Sequence, residues 1–325
     1  MKRTILGAAL AALLAIPGMA GAQDFPTHPL TMVVPFAAGG PTDLLGRVIA
    51  AKMGEILKQN VIVENVGGAG GQTGSKRVAE AKPDGYTFVL GTVGTHAQSQ
   101  TLYKHPLYNA ETDFTPVGLI AEVPIVLITR KDLPVNNLKE FVAYAKANQS
   151  KMQFGSAGAG SATHLGCVVL NTAMDTPKIT HVPYKGTGPA MQDLIAGRID
   201  YLCEIISTAK PQIDGHNVKP IAILTKTRSP VEPNIPTSAE QGLDVQAYTW
   251  NAIFLPKGAP EAVVKKLNAA MLQAMHDPAV KDRLQGFGAQ IVSDDRATPA
   301  YLASFVKSEI KKWAAPIKAS GVSVN

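Results

Sequence analysis

Three segments rich in glycine, serine and threonine are the parts of this sequence best suited to chemistry. They are "VVPFAAGGPTD" at residues 33–43, "FVLGTVGTHAQSQ" at 88–100 and "MQFGSAGAGSATHLG" at 152–166, and each follows an apolar run and begins a helical pattern. The start of a helix leaves backbone N–H groups unpaired and carries partial positive charge, so such a junction favours an anion. In the first segment, Gly39 and Gly40 also remove the steric cover that side chains would give.

Hydroxyl groups in these segments add hydrogen-bond donors to those of the backbone. They belong to Thr42, Ser156, Ser161 and Thr163. In any one segment the same hydroxyls would serve equally well as ordinary helix caps in a tight connection. Because three segments share this composition, a ligand site is the favoured interpretation. A fourth segment, "HVPYKGTGPAMQDL" at residues 181–194, also joins a strand end to a helix start, although packing is the commoner use of such a junction.

The motifs of several enzyme classes fail on spacing. A P-loop needs G-x-x-x-x-G-K-[ST], but in "GAGGQTGSKR" Ser75 separates the glycine from the lysine. The stretch "GAGSAT" has Thr163 where a dinucleotide-binding fingerprint needs glycine, and neither Ser156 nor Ser161 has the flanking glycines of a hydrolase elbow. The sequence also lacks H-E-x-x-H and C-x-x-C, so we predict neither a metal site nor a cofactor.

Two histidines and one glutamate keep acid–base chemistry open as an alternative. His96 and His164 lie in the predicted site segments, and Glu204 follows the strand-like stretch "RIDYLC". Glu204 either faces the same cleft, where it would suit an ammonium or hydroxyl group better than an anion, or is a surface acid. A secreted α/β enzyme that uses His96 or His164 with Glu204 is therefore an alternative to a binding protein.

The elements that position these residues alternate between strand-like and helix-like patterns. This alternation is typical of α/β layers with mostly parallel sheets. Two extended segments, residues 114–134 and 245–258, are unusually long, and we expect the first to break at Pro124 because it exceeds an ordinary strand. Both are expected to cross between two lobes. The expected limits are residues 23–123 with 251–325 for the first lobe and 124–250 for the second.

The first 22 residues have the pattern of a cleaved secretory signal. Lys2 and Arg3 precede an apolar core that is too short to span a membrane, and the small residues at 20–22 suit cleavage before Gln23. The chain has a formal net charge of +6, which falls by two without Lys2 and Arg3, and it has no basic block. We therefore expect an exported, soluble protein that binds no nucleic acid and whose mild positive charge suits anionic ligands.

The only two cysteines, Cys167 and Cys203, suit an oxidising compartment. If they were paired, they would close a loop of about 36 residues, which the chain-entropy model values at roughly 4 kcal/mol of stability. The alternative is two buried free thiols.

Five stretches of the chain together resemble a known family. They are "VVPFAAGGPTDLLGRVIA", "VIVENVGGAGGQTGSKRVAEAKPDGYTFVLGT", "GSAGAGSATHL", "HVPYKGTGPAMQDLIAGRIDY" and "PNIPTSAEQGL". In this order they resemble the periplasmic solute receptors of tripartite tricarboxylate transporters, the Bug family. The resemblance implies a two-lobed α/β periplasmic-binding-protein fold (type 2-like) and a monomer that closes on a small carboxylate or dicarboxylate. It also implies that the receptor performs no chemistry on its ligand and delivers it to the membrane components of the transporter.

The resemblance also assigns the binding site. A first-lobe loop at residues 36–43 and a second-lobe loop at 156–164 are expected to clamp a carboxylate from two sides, and residues 92–96 form a further contact region. Together with Glu204, the expected ligand-binding residues are Phe36, Ala37, Ala38, Gly39, Gly40, Thr42, Asp43, Thr92, Thr95, His96, Ser156, Ala157, Gly160, Ser161, Thr163, His164 and Glu204.

Two departures from the family pattern lie in the same predicted lobe. Many members carry an Asp-aromatic-Asp pattern where this chain has "DYLCEIIST" with Cys203 and Glu204, so ligands of amino-acid-binding members do not transfer to it. Cys167 likewise replaces a small residue of the usual helix. The paired departures strengthen the prediction of a Cys167–Cys203 disulfide. The identity of the carboxylate, and delivery to a transporter or to a signalling partner, stay open.

Overall fold

The computed structural model describes residues 25–325, and the predicted signal segment at 1–22 lies outside them. The strands are β1 (Leu30–Val34), β2 (Val61–Asn65), β3 (Thr87–Thr92), β4 (Phe114–Arg130), β5 (Gln153–Ser156), β6 (Thr180–Pro183), β7 (Tyr201–Ile205), β8 (Val218–Ile223), β9 (Tyr248–Pro256) and β10 (Gln290–Ile291). The helices are α1 (Pro41–Leu57), α2 (Gln72–Ala79), α3 (Ser99–Leu102), α4 (Leu138–Asn148), α5 (Ala162–Met174), α6 (Thr187–Ile195), α7 (Ile206–Asp214), α8 (Glu261–His276), α9 (Pro278–Gly286) and α10 (Pro299–Ala319).

The strands hydrogen-bond in the order β2-β1-β3-β9-β4-β7-β5-β6, and β8 and β10 also pair with β4. Pairing is parallel among β1, β2 and β3 and among β5, β6 and β7, whereas β9 runs antiparallel to β3 and β4. Helices cover both parts of this sheet. The mixed α/β, two-lobed fold expected from the alternating pattern is therefore confirmed.

The long strand β4 belongs to both lobes. Its first part, up to Pro124, pairs with β9, and its second part, from Ile125, pairs with β7 and β8. The expected break at Pro124 was wrong, because one strand runs without interruption from Phe114 to Arg130 and only its partners change there. A second crossing lies beside the first: the Ala247 N–H donates to the Leu224 carbonyl, and the next residue pairs with Pro124. The exact limits of the lobes stay a prediction.

Burial explains why these segments form their elements. Every residue of β7, and every residue after the first of β3 and β9, is buried, as expected for continuous apolar runs in a covered sheet. Helix α1 begins with Pro41, which suits a first helical position, and buries Leu45, Val48, Ile49 and Met53 along one face. Within residues 25–325, no helix combines the length and apolar character that crossing a membrane requires.

Candidate functional site

A small cavity lies between the two lobes, at the carboxyl ends of the strands. The empty space between its lining atoms, part of which is open to solvent, measures about 340 Å³. Its walls come from both halves of the chain and consist of Phe36, Gly40, Pro41, Thr42, Thr92, Ala157, Ser161, Ala162, Thr163, Thr187, Ile205 and Thr249. In an α/β sheet this edge is where ligands ordinarily bind, because helix starts and loops converge there.

Seven of the predicted residues line this cavity and ten do not, within the part of the chain that the structure describes. The lining residues are Phe36, Gly40, Thr42, Thr92, Ala157, Ser161 and Thr163. The others are Ala37, Ala38, Gly39, Asp43, Thr95, His96, Ser156, Gly160, His164 and Glu204. All three predicted segments thus reach the cavity, and the non-lining residues lie beside or behind its walls. Their assignment to a ligand stays a prediction.

The first-lobe loop presents its backbone to the cavity. The N-cap of α1 is Gly40, which offers no side chain, so the first-turn N–H groups of the helix receive no side-chain acceptor from residues 25–325. Asp43 instead faces back into the loop, where its Oδ2 accepts from the Gly39 N–H at 2.9 Å and from Arg47 Nε at 3.0 Å. Burial alone would raise the pKa of Asp43, but hydrogen bonds from Arg47, Gly39 and Asn65 lower it below its usual value. Asp43 is therefore ionised near pH 7, and its hydrogen bonds stabilise the loop.

The second-lobe loop uses its hydroxyls as caps within the loop, and two of the residues that carry them also line the cavity. Ser161 caps α5 by accepting from the His164 N–H at 3.2 Å, and Thr163 Oγ1 accepts from the Ala157 N–H at 3.0 Å. The Ser161 and Thr163 hydroxyls lie 3.2 Å apart, and both residues also line the cavity. Ser156 lies deeper, where its hydroxyl accepts from the Gly158 N–H. The caps therefore shape the wall that a ligand would meet.

The histidines of the predicted site are buried away from the cavity. His96 stacks on Phe254 with ring centroids 4.0 Å apart, and burial lowers its pKa to about 3. His164 stacks on His181 at 4.1 Å, and burial together with His181 lowers the pKa of His164 to about 3. Both imidazoles are neutral near pH 7. The acid–base alternative requires one of them to reach the cavity together with Glu204. The structure brings neither of them there.

Glu204 is fully buried behind the cavity wall. The next residue, Ile205, lines the cavity, and the Ile205 N–H donates to Glu204 Oε1 at 2.8 Å. Burial raises the pKa of Glu204 to about 7. The alternative of a surface acid is therefore wrong.

Five lining residues were not among the predicted ones. Pro41 and Ala162 adjoin predicted positions in the two loops. Thr187 begins α6 and lies in the fourth segment, where a strand end is followed by glycine and a hydroxyl residue as in the predicted site segments. Packing is the commoner use of such a junction, so the sequence leaves its role open. Ile205 and Thr249 lie at the end of β7 and in β9 and carry no composition that sets them apart.

The predicted disulfide between Cys167 and Cys203 is confirmed. Their Sγ atoms are bonded, and their Cα atoms lie 5.4 Å apart. The bond joins α5, which starts at the cavity, to β7, which ends there. It therefore fixes two walls of the site to each other.

The lobes touch across the cavity. The Ala37 N–H donates to the Lys185 carbonyl at 3.0 Å. The Tyr103 hydroxyl lies 2.9 Å from the Ala69 carbonyl oxygen and 2.8 Å from that of Ala159. Gly70, with φ of +62°, passes so near Ala159 that any Cβ would overlap its carbonyl oxygen. The structure is thus a closed form of the two lobes.

Within residues 25–325, no three histidine, cysteine, aspartate or glutamate side chains lie where they could share a metal ion.

Comparisons with known proteins agree on one family. Residues 45–322 match the model of the tripartite tricarboxylate transporter family receptor. The solved structure of the periplasmic binding protein BugD is 39% identical, covers 92% of this chain and 99% of its own, and superposes with a TM-score of 0.89. MatC from Rhodopseudomonas palustris, solved with bound malate, is 40% identical, with coverage of 90% and 100% and a TM-score of 0.88.

A third structure extends the comparison. Rpa4515 of R. palustris, solved with adipate, is 33% identical, with coverage of 92% and 99% and a TM-score of 0.86. The match to the family model spans most of the chain, and these likenesses span nearly all of it. This chain therefore belongs to the family of tripartite tricarboxylate transporter receptors, the Bug family of periplasmic solute-binding proteins.

Proposed function

We propose that this protein captures a small organic carboxylate between its two lobes, in the periplasm, and delivers it to the membrane components of a tripartite tricarboxylate-type transporter. The observation that carries the proposal is the cavity, where the uncapped start of α1 and the loop before α5 meet from opposite lobes. The malate bound to MatC and the adipate bound to Rpa4515 support a carboxylate.

The energetics of such a site are sufficient without an arginine clamp. Each helix start stabilises a carboxylate by about 0.3–1 kcal/mol, and each charge-assisted hydrogen bond adds about 1.5–3 kcal/mol before desolvation. A micromolar Kd needs about 8 kcal/mol, so a few contacts are enough. In this proposal the protein acts as an exported monomer after cleavage near Gln23, and it returns its ligand chemically unchanged.

A thermal-shift screen followed by calorimetry tests the ligand class. The panel contains mono-, di- and tricarboxylates with neutral sugars as controls. A ligand at a hundredfold excess over its Kd stabilises the fold by about 2.7 kcal/mol, which gives a clear rise in Tm. We expect carboxylates alone to raise the Tm, and recovery of the ligand unchanged by NMR. A response only to neutral sugars would overturn the carboxylate, and turnover would indicate an enzyme.

Thr163→Val tests the position of the site. Valine keeps the shape of threonine and removes the hydroxyl that lines the cavity, so we expect at least a tenfold weaker Kd for the best carboxylate. Thr172→Val is the matched control, because the Thr172 hydroxyl donates to the Val168 carbonyl further along the same helix. Unchanged binding by Thr163→Val, or an equal loss in both variants, would place the ligand elsewhere.

A further inference from the structure

The outer face of α10 carries positive charge only. With 21 residues it is the longest helix within residues 25–325, and its exposed residues are lysines, serines, alanines and Pro316. Its one acidic residue, Glu309, is only 3% exposed and accepts hydrogen bonds from the indole N–H groups of Trp250 and Trp313 beneath the helix. No acid of α10 therefore reaches the outer face to balance its lysines.

Three of these lysines lie along one line of the helix. Lys311 follows Lys307 by four residues, and Lys318 follows after seven more. At 3.6 residues per turn and a rise of 1.5 Å per residue, the three lie within an arc of about 40° and span about 16 Å. Ala314 and Ala315 lie between the second and the third, so short side chains separate the charges. We call Lys307, Lys311 and Lys318 the basic stripe.

The stability of the fold does not account for the basic stripe. None of its lysines forms an ion pair within residues 25–325. Lys307 and Lys311 are four residues apart, and like charges at this spacing destabilise a helix. Helix α8 shows the usual alternative, because its Lys265 forms an ion pair with Glu261 one turn away. The stripe is thus unbalanced within the described chain and fits a partner of negative charge.

Neighbouring charges extend the positive surface at one end of α10. Lys312 lies on the flank of the helix, where its Nζ is 4.4 Å from the centre of the Tyr248 ring. Lys104 follows α3, which packs against α10. The exposed acids Asp294 and Asp295 precede the first turn, at the end of the helix away from Lys318. The positive surface therefore covers the second half of α10.

The composition of this face suits a lipid surface better than a protein. Protein interfaces have a core enriched in aromatic residues and depleted in lysine. The large apolar side chains that are exposed within residues 25–325 are Ile62, Leu107 and Ile195, and none of them belongs to α10. A line of lysines separated by short side chains can instead approach a flat array of anionic headgroups. Each lysine near such a surface strengthens binding about fivefold.

We propose that the basic stripe docks α10 on the anionic lipid headgroups of a membrane surface. The ring of Trp250 in β9 lies 5.5 Å from that of Phe305 in α10, whereas the preceding residue of β9, Thr249, lines the cavity. Since successive side chains of a strand point to opposite faces, α10 and the cavity lie on opposite faces of β9. A docked molecule therefore keeps its cavity accessible. The inference rests on the proposed function only in placing the protein beside a membrane.

Co-sedimentation of the mature protein with lipid vesicles tests this docking. The probes are vesicles of phosphatidylcholine alone and of equal parts phosphatidylcholine and phosphatidylglycerol, at low salt and at about 0.1 M salt, where the Debye length is about 10 Å. We expect binding only to the anionic vesicles, and weaker binding at the higher salt. Lys307→Gln with Lys311→Gln should weaken this binding about 25-fold. Glutamine keeps the length and the helix propensity of lysine, so the fold should persist.

Lys131→Gln with Lys151→Gln is the matched control. It removes the same charge from exposed positions after β4 and before β5, so we expect wild-type binding to the anionic vesicles. An equal loss in both double variants would assign the binding to net charge and overturn the proposal. Binding that occurs only when the vesicles contain the membrane components of the transporter would also overturn it, because the partner would then be a protein.

Calorimetry with carboxylates separates this inference from the proposed function. Because α10 lies on the other face of β9 from the cavity, both double variants should bind the best carboxylate with the wild-type Kd. A wild type that binds a carboxylate but no anionic vesicle would overturn the docking of α10 alone. A wild type that binds anionic vesicles but no carboxylate would refute the proposed function and leave the docking supported.

Discussion

Single buried side chains give this fold two opposing responses to pH. Burial lowers the pKa of His96 to about 3 and that of His181 to about 4, and burial with His181 nearby lowers that of His164 to about 3. Below about pH 6.5 the unfolded chain binds protons that these histidines do not bind in the fold, so stability is lost as pH falls. Glu204 acts oppositely, because its pKa rises from 4.5 to about 7 on folding. The fold therefore keeps a proton that the unfolded chain releases, and stability falls as pH rises through that window.

Between pH 5 and 6, the free energy of unfolding should therefore vary with pH in proportion to a difference in bound protons. The unfolded chain binds protons on three histidines that the fold does not, and the fold binds one on Glu204 that the unfolded chain does not. Each proton changes stability by about 1.4 kcal/mol per pH unit, so we expect a fall of about 2.5 kcal/mol per unit as pH is lowered. Glu204→Gln removes the opposing contribution and should steepen the fall to about 4 kcal/mol per unit. Urea unfolding at pH 5, 5.5 and 6 measures both slopes, and equal slopes would contradict a neutral Glu204 in the fold.

At the scale of elements, the disulfide ties the helix that starts at the site to the strand that ends there. The chain-entropy model gives a bond across this separation roughly 4 kcal/mol, and removal of a native disulfide typically costs about 2–5 kcal/mol. For Cys167→Ala with Cys203→Ala we expect unfolding at pH 7 to require about 2–4 kcal/mol less. The control is the thiol count of the unfolded wild type, which should show free thiols only after reduction. Two titratable thiols without a reductant would refute the bond.

The elements also show how far the sequence could predict the site. Helix starts preceded by glycine and hydroxyl residues are a local signal, and for this reason the loops of β1–α1, β3 and β5–α5 were predicted to reach the cavity and do so. Thr187 gave the same signal, but packing was the commoner explanation for its segment. Ile205 and Thr249 reach the cavity only because strands from distant parts of the chain lie side by side, which local composition does not encode. Pro124 predicted a break that the paired partners of β4 override.

At the scale of the whole molecule, the two lobes meet on both sides of the cavity, and one tyrosine joins them at a single point. The Tyr103 hydroxyl lies within hydrogen-bonding distance of the Ala69 carbonyl in the first lobe and the Ala159 carbonyl in the second. Because a hydroxyl has one hydrogen, it can be held by Ala69 in an open form and shared with Ala159 on closure. The two strands that cross between the lobes, at Pro124 and Ala247, can act as the hinge of this closure.

Tyr103→Phe should consequently shift the molecule toward open forms without loss of its fold. Losing one hydrogen bond between the lobes removes about 0.5–1.5 kcal/mol from closure, so we expect about a two- to tenfold weaker Kd for the best carboxylate. Small-angle scattering of the ligand-free protein should show a larger radius of gyration. Tyr108→Phe is the matched control, because the Tyr108 hydroxyl donates to the Thr95 carbonyl within the first lobe at 2.6 Å. That variant should lower the Tm and leave both the Kd and the radius unchanged. If the two variants weakened binding equally, the Tyr103 contact would be a feature of stability and not of closure.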